Sequence, residues 1–221
     1  MSDTIQALAR ALNADINGIN MVSHNVANIN TPGYQSVRAV ADFGASVGLS
    51  RQVVFGDGPL RSTGRSLDLA LRGEGFFVVD RGGQALLTRQ GSFIRDAQGY
   101  LATPAGDRVI TDGGPVSLPD GAVRVDEQGV LWSGDQRLAQ ITVVTAEPGR
   151  LLSVEGGYRY DGELGSWSGR VQQGATEQSN VDAAAQTLQL IELTRHAESV
   201  QRVVSIYDRT LDVGINRIGD N

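Results

Sequence analysis

A chain of 221 residues, 40% hydrophobic and 20% charged, has the make-up of a folded protein and the length for one large domain or two small ones. A net charge of −6 and an isoelectric point near 4.9 argue against nucleic acid as a partner, because its backbone demands a basic face. Cysteine is absent, which excludes disulfides and thiolate metal sites, and all 19 basic residues are arginine, the cation better suited to hydrogen-bonded interfaces.

Residues 1–33 read as a helix. Ile5, Leu8, Leu12, Ile19, Val22, Val26 and Ile29 recur at alternating spacings of three and four, with Asp15 as the polar interruption. An apolar period near 3.5 predicts a helix whose seam another helix covers. Ser2 or Asp3 can cap its start, and Thr31-Pro32-Gly33 ends it. The other face carries Asn13, Asn17, Asn20, Ser23, His24, Asn25 and Asn28 where a solvated helix would carry Glu and Lys. Amides donate and accept without the cost of desolvating a charge, so such a face can be covered by protein. A neutral solvated face is the alternative. Asn25 and Asn28 join the seam residues as the expected assembly interface. No stretch reaches the roughly 18 to 20 apolar residues that span a bilayer, so direct membrane insertion is not expected. The polar residues Asn13, Asp15, Asn17 and Asn20 break any signal-peptide core, so export would use no cleaved signal.

Residues 34–51 read as a linker and residues 52–175 as a glycine-rich β-domain. Short β-type runs at Gln52–Phe55, Phe76–Val79, Ala85–Thr88, Ala122–Val125, Gln140–Val144, Leu151–Val154 and Tyr158–Tyr160 alternate with turn sequences. Those turns include Arg81-Gly82-Gly83, Asp96-Ala97-Gln98-Gly99 and Asp112-Gly113-Gly114. The pattern predicts an antiparallel sandwich or barrel-like domain.

Residues 176–221 read as a second long helix. Ser179 and Asp182 are spaced as a capping box. The seam follows as Leu190, Leu193, Ala197, Val200, Val204, Tyr207, Leu211, Gly214 and Ile218. The fold class is therefore mixed α and β. A central antiparallel β-domain is flanked by coiled-coil-type terminal helices that pack with each other or with neighbouring copies. Such an organisation points to an assembly subunit.

Catalytic chemistry is hard to place. His24 and His196 each stand alone on a predicted helix, and neither has metal-ligand spacing. The stretch Gly73–Val78 (GEGFFV) lacks the third glycine of a dinucleotide loop, and there is neither a Walker lysine nor a nucleophile elbow. Most central carboxylates sit beside Gly or Pro and read as turn formers. No enzymatic activity, cofactor or metal is expected. Phe76, Phe77 and Val79 are expected in the β-core, and Asp68 is expected to bond backbone or an arginine, with Arg72 and Arg89 as the candidates.

Three blocks resemble the flagellar axial proteins of bacteria, the rod and hook subunits. Val22–Tyr34 (VSHNVANINTPGY) resembles the family's N-terminal motif. Thr63–Val79 (TGRSLDLALRGEGFFVV), followed by Thr88–Phe93 (TRQGSF) and Asp96–Leu101 (DAQGYL), resembles the body domain of hook and rod proteins. Glu177–Val181 (EQSNV), Leu190–Glu198 (LIELTRHAE) and Tyr207–Leu211 (YDRTL) resemble its C-terminal helix. The LIELTR stretch looks more like the proximal-rod branch, and no long insertion near 34–51 marks a distal-rod subunit.

The resemblance implies a structural subunit of the periplasmic basal-body rod. Its partners would be copies of itself, other rod proteins and the flagellar type III export apparatus. The terminal helices would form the inner tube and the β-domain the outer wall. A distal-rod or hook-type protein is the near alternative. A secreted or virion β-rich binding module, trimerised by its terminal helices, or a small cell-wall hydrolase would be different classes.

Overall fold

The computed structural model describes residues 2–42 and 48–219, with side chains described for 5–40, 51–207, 209 and 210. It divides into two compact units. The first comprises 1–27, 39–51 and 182–221, and the second 28–38 and 52–181.

The first unit is built on two helices, α1 (Ser2–Ala27) and α2 (Ala183–Gly219), which pack against each other. α1 stops four residues short of Thr31, and a turn follows in which Thr31 N donates to Asn28 O at 3.0 Å. The N-cap of α2 is Asp182 itself: its Oδ1 accepts from Ala184 N at 2.9 Å and Ala185 N at 3.1 Å. Ser179 is not the cap of that helix; its Oγ accepts from Val181 N one turn earlier.

The second unit is β-rich. Its largest sheet has ten strands, and every strand pair with a described register is antiparallel. The main path runs from edge strand Leu151–Val154 through Gly157–Tyr160, Gln84–Thr88, Phe76–Arg81, Arg108–Thr111 and Leu101–Ala102 to Ile94–Arg95 at the other edge. The sheet is open, so the barrel-like expectation is corrected. Both ends of the path are free of each other among the described residues. A three-stranded sheet, Arg124–Val125, Val130–Ser133 and Gln136–Gln140, and two two-stranded sheets complete the unit. One of those pairs Leu69–Arg72 with Arg170–Gln173, and the other pairs Leu60–Ser62 with Ala175–Glu177. The chain therefore closes the unit by returning residues near 175 to residues near 61.

Turn chemistry sets the local registers. Arg81 pairs directly with Gln84, which leaves Gly82 and Gly83 as a two-residue hairpin loop with φ of 61° and 87°. Positive φ at both positions is what a tight hairpin of this twist demands. A second device occurs twice, thirty residues apart. In DAQG (96–99) Asp96 Oδ1 accepts from Gln98 N and Tyr100 N at 2.9 and 2.7 Å. In DEQG (126–129) Asp126 Oδ1 accepts from Gln128 N and Val130 N at 3.0 and 2.9 Å.

The core joins the sheets. Leu69, Leu71, Phe77, Val79, Phe93, Leu101, Val109 and Leu131 are essentially inaccessible. Phe77 and Phe93 meet edge to face with ring centroids 5.1 Å apart. Between the first helix and this unit's sheets, the expected linker holds paired strands, Val37–Asp42 with Gly48–Val53.

Candidate functional site

The helix pair has one register. His196 Nδ1 donates to Asp15, 2.7 Å from Oδ2 and 2.9 Å from Oδ1. Asn25 Nδ2 donates to Gln186 Oε1 at 2.9 Å. A Cβ at Gly18 would stand 3.0 and 3.1 Å from the two terminal carbons of Leu193. In all three pairs the two residue numbers add to 211. The helices therefore run in opposite directions without a slip over this span.

That register defines which face of α1 meets α2. Leu8, Ala11, Asp15, Gly18, Val22 and Asn25 are the stripe, spaced three and four. Val22, Asn25 and Asp15 are buried at 1%, 2% and 6% exposure. Of the expected interface residues, Leu8, Leu12, Ile19, Leu190, Leu193, Ala197 and Tyr207 are half-buried, and Val200 is buried. Ile5, Val26 and Val204 are exposed. Ile29 and Asn28 are half-buried and lie in the second unit. The side chains of Leu211 and Ile218 lie outside the described ones. Ile5, Leu12, Ile19 and Val26 fall one helical step off the covered stripe, where they align with Ala9, Ile16 and Ser23 as a second stripe. The covered stripe contains Ala11, Gly18 and Asn25, small or polar residues that a search for apolar period passes over.

His24 also belongs to the first unit. Its Nδ1 lies 3.0 Å from Arg51 Nη2, so the ring accepts from the guanidinium. Burial first, and the charge of Arg51 second, hold the His24 pKa below the ordinary 6.5. A lowered histidine pKa means that the folded state binds fewer protons than the unfolded chain. Its contribution is complete above pH 6.5 and is lost as pH falls through the folded value. The helical far-UV signal should therefore melt at a lower temperature at pH 5.5 than at pH 7.5. His24→Gln should shrink that difference, and an unchanged difference would contradict the assignment.

The second unit contains a buried polar node. Arg89, 3% exposed, uses its whole guanidinium: Nε donates to Glu177 Oε2 at 2.7 Å, Nη1 to the carbonyls of Gly73 and Gly75, and Nη2 to Asp57 Oδ1 at 3.0 Å. Glu177, 1% exposed, also accepts at Oε1 from Gln35 Nε2 at 3.1 Å and Gly58 N at 2.9 Å. Gln35 Oε1 accepts from Asn180 Nδ2 at 2.9 Å, and Asn180 Oδ1 from Ser36 N at 2.7 Å. Burial pushes the Glu177 carboxyl above its ordinary 4.5, against the pull of Arg89 and Gly58. Two glycines make room: a Cβ at Gly33 would lie 2.4 Å from the Arg89 carbonyl carbon, and one at Gly58 would lie 2.0 Å from Gln178 O. The node clamps the segment that leaves α1 to the segment that enters α2.

Sequence reasoning missed this node. The available signal was a lone Glu177 and a lone Arg89 in otherwise uncharged stretches, since a charge is buried only with a partner. Asp68 has an arginine beside it as expected, but neither of the two candidates. Its nearest arginine is Arg65, at 3.7 Å, while Arg89 serves Glu177 and Asp57, and Arg72 serves Gln172. Among the described residues no cluster of three or more His, Cys, Asp or Glu could hold a metal ion, and no helix is long and apolar enough to cross a membrane.

The node's three anchoring side chains come from three segments that match known families. Residues 5–35, with Gln35, match the flagella basal body rod protein family. Residues 70–133, with Arg89, match the flagellar hook protein FlgE/F/G D1 domain. Residues 172–218, with Glu177, match the C-terminal region of the flagellar basal body rod FlgEFG proteins. The chain is 29% identical to the flagellar basal-body rod protein FlgF of Caulobacter vibrioides, over 91% of each chain. It is 28% identical to FlgG of Bacillus subtilis, over 90% of this chain and 92% of that one. A 110-residue stretch is 37% identical to the hook protein FlgE of Brucella abortus, covering 43% of this chain and 27% of that one. With all three family segments present in order and meeting in one buried node, the chain belongs to the flagellar rod and hook protein family.

Proposed function

We propose that this chain is a structural subunit of the flagellar basal-body rod, in its proximal part, and that it assembles through its terminal helices. The observation that carries this reading is the second stripe of α1. Ile5, Ile16 and Val26 are 48%, 46% and 43% exposed, and α2 leaves Leu188, Ile191 and Ile206 at 68%, 46% and 64%. Apolar residues repeated along one helix face are a surface for another protein. The family is a structural one, with no catalytic role. Neighbours would be copies of this chain and other axial proteins, packed in coiled-coil fashion through residues 1–33 and 176–221, with residues 52–175 forming the outer wall. The chain would reach the periplasm through the flagellar export channel. FlgF relatives from Caulobacter vibrioides and Rhizobium meliloti, together with the LIELTR stretch, favour the proximal over the distal position.

The test separates folding from assembly. Ile16 is exposed, so Ile16→Asp should leave the unfolding midpoint within about 0.5 kcal/mol of the parent. In cells it should abolish swimming and remove the protein from purified basal bodies. Normal motility in that variant would overturn the assembly reading. Cross-linking of a tagged subunit in wild-type basal bodies would place it along the rod, and links only to hook proteins would contradict the proximal position.

A further inference from the structure

We infer that Asp15, Gly18 and Asn25 of α1 form a register code that admits one alignment of α2, so that the covered stripe selects the chain's own α2 and leaves the second stripe to neighbouring subunits. The last clause rests on the assembly reading above; the register code does not.

Helices with a 3.5-residue apolar period have a built-in ambiguity. A slip of seven residues presents apolar residues to apolar residues again, so such a seam alone does not fix alignment. Here it is fixed by the residues that are not apolar. Asp15 is 6% exposed and meets His196, whose side chain is 59% exposed. Slipped by seven residues in one direction, Asp15 would oppose Val203; in the other it would oppose Gln189, beside Leu190. His196 would oppose Val22 or Leu8. Asn25, 2% exposed, would oppose Leu193 in the first case and would run past the start of α2 at Ala183 in the second. In the first slip Asp15 and Asn25 face apolar side chains in place of His196 and Gln186, which is the costly event; in the second, Asp15 exchanges His196 for the Gln189 amide and Asn25 loses Gln186 together with the cover of α2. Gly18 adds a steric condition. Leu193 occupies the space that a Cβ would need, and a slip brings Leu193 onto Asn25 or Ala11 instead.

The same logic separates self from neighbour. A neighbouring helix of similar period can cover Ile5, Leu12, Ile16 and Ile19 with apolar side chains alone. To cover the inner stripe it would need a hydrogen-bonding partner for Asp15 and another for Asn25, ten residues apart, and a large apolar side chain between them for Gly18. A polar position inside an apolar seam sets register in this way in other helical assemblies.

The full-length chain has no cysteine, so paired cysteines can be introduced cleanly. Met21→Cys combined with Leu190→Cys tests the native register; Met21→Cys combined with Ala197→Cys or Ala183→Cys tests the two slips. Joined by a short bis-maleimide, the native pair should react at least tenfold faster than either slipped pair and give a product of monomer mass. Replacing Asp15 and His196 together by leucine should bring the rates within about threefold of one another. Exchanging the two, Asp15→His with His196→Asp, should restore the tenfold preference. Equal rates in the parent, an undiminished preference in the leucine variant, or products that join two chains would each overturn the proposal. The exchange variant keeps both groups partnered, so its loss of preference would overturn the proposal even if the leucine variant fails to fold.

Discussion

Arg89→Met should destabilise the β-rich unit by about 3–5 kcal/mol, the loss seen when one partner of a buried ion pair is removed. The substitution keeps most of the side-chain volume and deletes the charge. What remains is Glu177, 1% exposed, and the carbonyls of Gly73 and Gly75, all without their guanidinium donor. Glu177→Gln should also destabilise, because an amide has one acceptor oxygen where the carboxylate has two: its NH2 must face either Arg89 Nε or the donors Gln35 Nε2 and Gly58 N, and the guanidinium keeps Asp57 as its one carboxylate. The double variant Arg89→Met/Glu177→Gln should be more stable than the sum of the single losses predicts, by about 1–3 kcal/mol of coupling. Urea denaturation followed by tryptophan fluorescence reads this directly, because Trp132 and Trp167 both lie in this unit and α1 and α2 carry no tryptophan. A loss below about 1 kcal/mol for Arg89→Met would mean that water replaces the guanidinium and that the node is not a clamp. A clamp at this place has a functional sense. Gln35 follows α1 and Glu177 precedes α2 in the chain, so the node fixes the two connecting segments to each other within the β-rich unit.

Much of the fold was legible because the chain writes its periods plainly. The two-residue glycine loop after Arg81, the Asp-x-Gln-Gly turn at Asp96 and the strands Leu151–Val154 and Phe76–Arg81 all follow from local chemistry. Strands that form by closure over distance were missed. Leu69–Arg72 and Ala175–Glu177 pair with segments about 100 and 115 residues away, and neither carries an alternation of its own, because Leu69, Ala70 and Leu71 in the first and all three residues of the second are buried in succession. The helix seam was half legible. Apolar period found Leu8 and Val22, but the other half of the covered stripe is Ala11, Gly18 and Asn25, chosen for close approach and hydrogen bonding rather than for hydrophobicity. Asp15 was visible as an interruption of the pattern. Only the register, with His196 opposite, turns the interruption into a contact. The buried node was illegible for the same reason: its members are far apart in sequence and uncharged neighbours surround each charge.

Phe77→Ala should cost the β-rich unit about 3–5 kcal/mol, the range for deleting a fully buried aromatic ring. Phe77 is 0% exposed and sits in strand Phe76–Arg81 between Thr88 on one side and Val143 on the other. Its ring meets Phe93 edge to face, and Gly91 packs beside it with no room for a side chain: a Cβ there would lie 3.3 Å from Phe77 Cε2 and 1.6 Å from Leu69 O. The backbone around Gly91 and Leu69 is thus already in contact, so it cannot move inward to fill the space that alanine leaves, and the cavity term adds to the transfer term. Phe77→Leu should lose less, because leucine restores most of the volume and forfeits chiefly the edge-to-face contact, worth about 0.5–1.5 kcal/mol. Leu152→Ala, at a side chain 61% exposed on an edge strand, should change stability by no more than about 0.5 kcal/mol. Urea midpoints for the three variants rank the site: a Phe77→Ala loss close to that of Leu152→Ala would show that the strand relaxes around the vacancy and that the centre of this sheet is not rigidly packed.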